Sequence, residues 1–256
     1  MTYSDSWYGQ QFNEVLASAH SFTSYLWQHI QPSAVLDVGC GRGAWLKKWQ
    51  DCGSKRLVGL DGEWNDQKMI DPSIEFISAD LNSPFYVGRF DLAMSLEVAE
   101  HLRPEAARDF VDSLTRAADL VLFGAAYSHQ GGLNHFNEQP HSYWGKLFAE
   151  ARFRPFDILR PKFWRDEAIC FWYRQNSFLY AKQDSPLYSH LISRGFTPMD
   201  EIGFMDCIHP ALYEMKVKAI TPPAGFKDHL RDLLPSFLRG VEARWSSRRR
   251  FKGNHG

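Results

Sequence analysis

Two groups of residues in this chain have types and spacings suited to chemistry. In the first, Asp37 precedes three alternating glycines, Gly39, Gly41 and Gly43, and Asp61 follows further on. Glycines let the backbone turn sharply and let a ligand lie against it without Cβ interference. An acid about twenty residues past such a loop is placed to meet ribose hydroxyls. The spacing Gly39, Gly41, Ala44 also fits the dinucleotide fingerprint, in which a pyrophosphate sits on the helix N-terminus. Asp37 separates the two readings. A carboxylate ahead of the loop is unfavourable beside a dianionic pyrophosphate and well suited to a ligand carrying an ammonium group.

The second group is Glu97, Glu100 and His101, with His129 and His135 in a later loop. If residues 97–101 form one helical turn, the spacing i, i+3, i+4 puts all three side chains on one face. The loop Ala125–Pro140 holds Gly131, Gly132, Asn137, Glu138 and Gln139 as well. Loops of about fifteen residues inside a compact domain are more often functional than not. His101, His135 and Glu100 are therefore the candidate catalytic groups, with either imidazole as a general base.

Elements must bring these groups together. Val35–Val38 reads as a short apolar strand running into the glycines, and Ala44–Trp49 as the helix beyond them. Arg56–Asp61 is a second strand, Ile74–Leu81 a third, Phe90–Leu96 a fourth and Leu120–Phe123 a fifth. Phe156–Leu159 and Ser177–Ala181 are expected to be two final strands. A helix is expected before all of these, from about Gln10 to Ile30, ended by Pro32. Trp7 and Tyr8 ahead of it are candidates to cover the ligand. Strand and helix alternation of this kind predicts a parallel sheet with helices on both faces.

The run Asp37-x-Gly39-x-Gly41-x-Gly43 resembles motif I of the class I S-adenosylmethionine (SAM)-dependent methyltransferases. The resemblance continues in order through Asp61, the strand ending at Asp80-Leu81, and Phe90-Asp91 opening the fourth strand. It implies an α/β, Rossmann-like, seven-stranded, mostly parallel sheet whose last two strands form an antiparallel edge. It also implies SAM as cofactor. Asp37, Gly39, Gly41 and Gly43 would form its loop, Asp61 would bind the ribose, and Asp80 with Leu81 would lie by the adenine. Ser95, at the end of the fourth strand, completes the expected cofactor set.

The element Glu97-x-x-Glu100-His101 resembles one found in two groups of O-methyltransferases, those of ubiquinone synthesis and those of small-RNA 3′ ends. In both it binds a divalent cation. The resemblance implies a metal held by Glu97, Glu100, His101 and His135, with Mg²⁺, Mn²⁺, Fe²⁺ and Zn²⁺ all compatible with that donor set. Similar text also occurs in metal-free methyltransferases, and then His101 or His135 serves as a simple base. The segments Gly131–Trp144 and Trp172–Asn176 resemble bacterial methyltransferases associated with glycan or natural-product synthesis. Their Asn, Gln, His, Tyr and Trp residues suit a polyhydroxylated acceptor, through hydrogen bonds and stacking on ring faces.

Composition narrows the partners. With 256 residues, 44% of them hydrophobic, the chain can bury a large core. Its net charge of −1 argues against broad nucleic-acid or membrane-surface binding. The four cysteines lack zinc or CxxC spacing and read as reduced thiols. With neither a basic-then-apolar leader nor a long apolar run, a cytoplasmic protein is expected. Residues 1–182 are expected to form the SAM-binding domain. Residues 183–256 are expected to form a mainly helical extension, with a helix over Lys227–Arg244 and a basic tail at Arg248–Lys252. The expected activity is O-methylation of a small-molecule or sugar-like acceptor. An N-methyltransferase acting on a small amine and a non-catalytic SAM-binding subunit are the alternatives. Oligomeric state is not legible in the sequence.

Overall fold

The computed structural model describes residues 5–63 and 69–220, apart from the side chains of residues 5–11. The side chains of Trp7 and Tyr8, the expected helix at 227–244 and the basic tail lie outside what is described. The chain divides into two compact units, Met1–His209 and Pro210–Gly256. In the second unit one helix is described, α8 (Pro210–Ile220).

The first unit is built on one sheet of seven strands. These are β1 (Ala34–Val38), β2 (Arg56–Asp61), β3 (Glu75–Ser78), β4 (Leu92–Leu96), β5 (Leu120–Gly124), β6 (Phe153–Phe156) and β7 (Phe178–Lys182). Their order is β3-β2-β1-β4-β5-β7-β6. The first five are parallel, and β7 runs antiparallel to both β5 and β6. Chain order reverses between β1 and β4, and ligands of open α/β sheets bind at such a switch point, outside the carboxyl ends of the strands.

The strands alternate between two buried layers. Leu92, Met94 and Leu122 face one, with Phe22 and Leu26 of α1 (Asp5–Trp27), Trp45 and Trp49 of α2 (Ala44–Cys52) and Phe163 of α5 (Arg160–Phe163). Ala93, Val121 and Phe123 face the other, with Phe110 and Leu114 of α3 (Ala107–Ala117) and Trp144 and Phe148 of α4 (His141–Glu150). Helices thus cover both faces, and the nearly continuous apolar β4 and β5 are what a doubly covered parallel sheet needs.

The structure moves two expected boundaries. The sixth strand is Phe153–Phe156 rather than Phe156–Leu159. It contains Pro155, which an edge strand tolerates because one side of its backbone needs no ladder partner. The first unit also continues past Lys182. There α7 (Pro186–Ser193) sets Leu191 into the core beside Phe156 and Leu179, and Met205 joins the layer of Trp144 and Phe148. Among the described residues, no helix is long and apolar enough to cross a membrane.

Candidate active site

The cofactor side begins where β1 turns. Gly39, Gly41 and Gly43 all have positive φ, at 80°, 50° and 80°, a region that costs any residue with a Cβ. A Cβ on Gly39 would overlap Val98, whereas one on Gly41 would meet nothing within 4 Å. Gly41 therefore opens onto free space. Gly43 caps α2, whose Ala44, Trp45, Leu46 and Trp49 are buried. Asp61 at the end of β2 ties the loop down. Its Oδ2 accepts the Gly41 amide at 2.8 Å and its Oδ1 the Gly62 amide at 2.7 Å.

These residues wall a cavity of about 920 Å³. Gly39, Gly41 and Asp61 line one end, Asp80, Leu81 and Asn82 another, and Glu97, Val98, His101 and Phe136 the side toward β4 and β5. The Asp80 carboxylate is turned into its own loop, accepting from the Asn82 amide at 3.0 Å, and these bonds hold its pKa down. Asp37 and Gly43 do not line the cavity. Asp37 is fully buried, and its Oδ2 has no hydrogen-bond partner. Burial, reinforced by the charge of Asp61, pushes its pKa up to about 8. An orphaned buried carboxylate oxygen by the loop fits a ligand that brings a cation. Ser95 corrects an expectation. It points into the sheet interior, its hydroxyl is buried and unpartnered, and it reaches neither cavity. Strand alternation gives the outward position to its neighbour Leu96.

A second cavity of about 660 Å³ shares Gly39, Gly41, Glu97 and His101 with the first. Phe12 and Val15 of α1, Trp45, Leu133, Trp172 and Tyr173 give it apolar and aromatic walls. Arg42, Glu97, Glu100, His101, Gln130 and His135 are its polar groups. The loop between β5 and α4 covers it and is pinned from below, since the amides of Phe136 and Asn137 both donate to the Glu100 carbonyl, at 2.8 and 2.9 Å.

Here Glu100, His101 and His135 converge, each offering one ligand atom within 4.8 Å of the others. His101 directs Nδ1 to the Asn134 carbonyl at 3.1 Å, and His135 directs Nδ1 to Glu138 Oε1 at 2.8 Å. Donation from both Nδ1 atoms leaves both Nε2 lone pairs free, the tautomer that imidazole ligands and bases use. Glu100 is fully buried and neither carboxylate oxygen makes a hydrogen bond. Burial and then the charge of Glu97 raise its pKa well above the ordinary range, and the nearby backbone amides of Glu100 and Ala126, too poorly aligned to count as hydrogen bonds, offset this only in part. Burial also lowers the pKa of His101, which favours its neutral form. A Cβ on Gly132 would overlap His135 Nε2, so the glycine leaves room for that ring.

Glu97 is not part of this convergence, against the expectation of a shared helical face. Its φ is 57°, a left-handed conformation that turns the chain before a 3₁₀ turn at Ala99–His101. Its carboxylate is already engaged, accepting from Asn176 Nδ2 at 2.7 Å and Gln130 Nε2 at 3.1 Å. Sequence reasoning missed this arrangement of Gln130, Gln175, Asn176 and His141, all fully or nearly buried. The run Trp172–Asn176, expected to face an acceptor, divides: Trp172 and Tyr173 line the second cavity, whereas Gln175 and Asn176 serve the interior, at the end of α6 (Phe171–Asn176).

Comparison with known proteins agrees with this geometry. A family model described as a methyltransferase domain matches residues 35–119, from β1 past the end of α3. The fold resembles that of DesVI from Streptomyces venezuelae, at 12% identity over 70% of this chain and 96% of that one, with a TM-score of 0.51. It also resembles an O-methyltransferase family protein from Burkholderia thailandensis, at 14% identity over 65% of this chain and 55% of that one, with a TM-score of 0.50. No curated protein matches the chain in sequence. The match to a methyltransferase domain covers the strands and the glycine loop that wall the larger cavity, and the likeness to DesVI extends to the fold.

Proposed function

We propose that this methyltransferase transfers its methyl group to a hydroxyl of a small, ring-containing acceptor, a sugar-like molecule being the best fit. SAM would occupy the larger cavity, with Asp61 on the ribose and Asp37 answering the positive charge of the methionine end. The acceptor would occupy the smaller cavity, between Phe12, Trp45 and Trp172. Aromatic faces suit the apolar faces of a ring, and a few convergent polar groups fix its orientation. Glu97 and His101, shared by both cavities, mark where the two ligands would meet.

The observation that carries the reading is the state of Glu100, His101 and His135. A hydroxyl must lose its proton as it attacks the methyl, whereas a neutral amine needs no base for the attack. Two imidazoles with free Nε2 atoms supply acceptors for that proton, beside a buried carboxyl group. The same three groups fit a divalent cation: the donor set is compatible, and both rings are oriented through Nδ1 as metal-bound histidines are. We infer Glu100, His101 and His135 as its ligands, without Glu97. When bound, the metal would supply Lewis acidity to the acceptor hydroxyl.

The test uses the purified protein and elemental analysis. One metal per chain is expected, removable by a chelator, with SAM affinity changed less than threefold. Re-addition of Mn²⁺ or Zn²⁺ should raise the melting temperature of the wild type but not of Glu100→Ala. Absence of metal and of any such shift would leave His101 and His135 as simple bases.

A further inference from the structure

The network behind Glu97 uses residues that the proposed chemistry leaves aside. Its amide orientations follow from backbone groups whose roles are fixed. The Tyr127 amide donates to Gln130 Oε1 at 3.3 Å, so Gln130 turns Nε2 toward Glu97. The His209 amide donates to Gln175 Oε1 at 2.7 Å, so Gln175 turns Nε2 toward Asn176 Oδ1, at 2.9 Å. That leaves Asn176 Nδ2 facing Glu97 Oε1. Both amides therefore present donors to the carboxylate, which suits its ionised form and opposes the burial that raises its pKa to about 7.

The same logic reaches His141. Its Nε2 lies 2.9 Å from Asn176 Oδ1 and its Nδ1 lies 2.9 Å from the Met205 carbonyl. Both partners are acceptors, so both ring nitrogens must donate, and only the imidazolium has two donors. The charged groups around the ring are Arg160 of α5, which donates to the same Met205 carbonyl at 2.7 Å, Asp206, and Glu97 beyond Asn176. Tyr127 and Phe178 pack on the ring faces. Burial, the largest influence, and Arg160 draw the His141 pKa down, while Asn176, Met205 and Asp206 act the other way. A neutral ring would set a lone pair against one of two carbonyl oxygens at 2.9 Å. Hydrogen-bond geometry therefore favours the charged form.

We propose that Asn176, Gln130 and His141 are positioning residues that hold Glu97 as a fixed anion at the seam of the two cavities, where it favours the sulfonium of SAM over the uncharged sulfur of S-adenosylhomocysteine. The selectivity rests on the cofactor reading above. Glu97 lines both cavities, and its left-handed backbone is the kind of strain kept at working positions. Release of the spent cofactor would follow from loss of the sulfonium charge, with the anion remaining in place.

The experiment is calorimetric titration of SAM and of S-adenosylhomocysteine into wild type, Glu97→Gln and Asn176→Ala, with ¹⁵N-histidine NMR of the wild type at pH 7. The SAM-to-product affinity ratio is expected to fall about tenfold in Glu97→Gln and about threefold in Asn176→Ala. Both ring nitrogens of His141 should carry protons. A merely structural role would weaken both ligands equally and leave the ratio unmoved, which would overturn the proposal. A neutral His141 would also overturn it. If wild type bound neither ligand, the cofactor reading would fall and this inference with it.

Discussion

The two halves of the site are built in opposite ways. The cofactor half is local. Asp37, Gly39, Gly41 and Gly43 follow one another along the chain, and Asp61 reaches back over one helix to the Gly41 amide. Its strength lies in backbone geometry, three left-handed glycines and a tethering carboxylate. The half proposed for the acceptor is assembled from distant pieces. Glu100 and His101 come from the turn after β4, His135 from the loop after β5, Trp172 from α6 and Phe12 from α1. Its strength lies in side chains held against their solvation preferences, with Glu100 buried and unpartnered. A half built from backbone serves one conserved ligand shape, and a half built from side chains can be rewritten for different acceptors.

If that contrast is right, damage to the two halves should separate. The largest effect is expected from Gly39→Val, which combines a φ of 80° with overlap on Val98. It should cost roughly 2–3 kcal/mol of stability in denaturant melts and abolish measurable SAM binding. Glu100→Ala comes next and should do the reverse. Turnover should fall at least about a hundredfold, while SAM affinity stays within about threefold and the melting temperature holds or rises, because an unpaired buried carboxylate is removed. Asp61→Ala should weaken SAM about tenfold or more in calorimetry, through loss of charge-assisted hydrogen bonds of about 1.5–3 kcal/mol.

A smaller effect concerns protons. The Asp37 pKa is raised to about 8, so below that pH its carboxyl is mostly protonated. A cationic ligand favours the ionised form, so SAM binding near pH 7 should release a proton, and affinity should rise with pH until about 8. The same raised pKa makes Asp37 a stabilising group only while protonated. That contribution is complete below its unfolded pKa and is lost as pH rises through the folded one. Titrations in buffers of different ionisation enthalpy would reveal the released proton. Their absence of buffer dependence would place the ammonium elsewhere.

Legibility in the sequence follows the same division. The sheet, its order of strands and the glycine loop were readable because each strand is a short apolar run and the loop residues are contiguous. Pro155 disguised the sixth strand, since proline argues against a strand until its edge position is known. Glu100, His101 and His135 were found as residue types at plausible places. Glu97 departs from them because its backbone goes left-handed where the spacing predicts a helical turn. Nothing in residue type announces a φ of 57° at a glutamate. Gln130, Asn176 and His141 were missed as partners of one network because they lie far from Glu97 along the chain and share no periodic pattern.

The most direct test of the proposed activity is transfer of a labelled methyl group from SAM to a library of polyhydroxylated and amine acceptors, with the modified atom identified by mass spectrometry and NMR. The expected result is an O-methylated product formed by the wild type and lost in Glu100→Ala, although that variant still binds SAM. Methyl on nitrogen, at undiminished rate in Glu100→Ala, would contradict it.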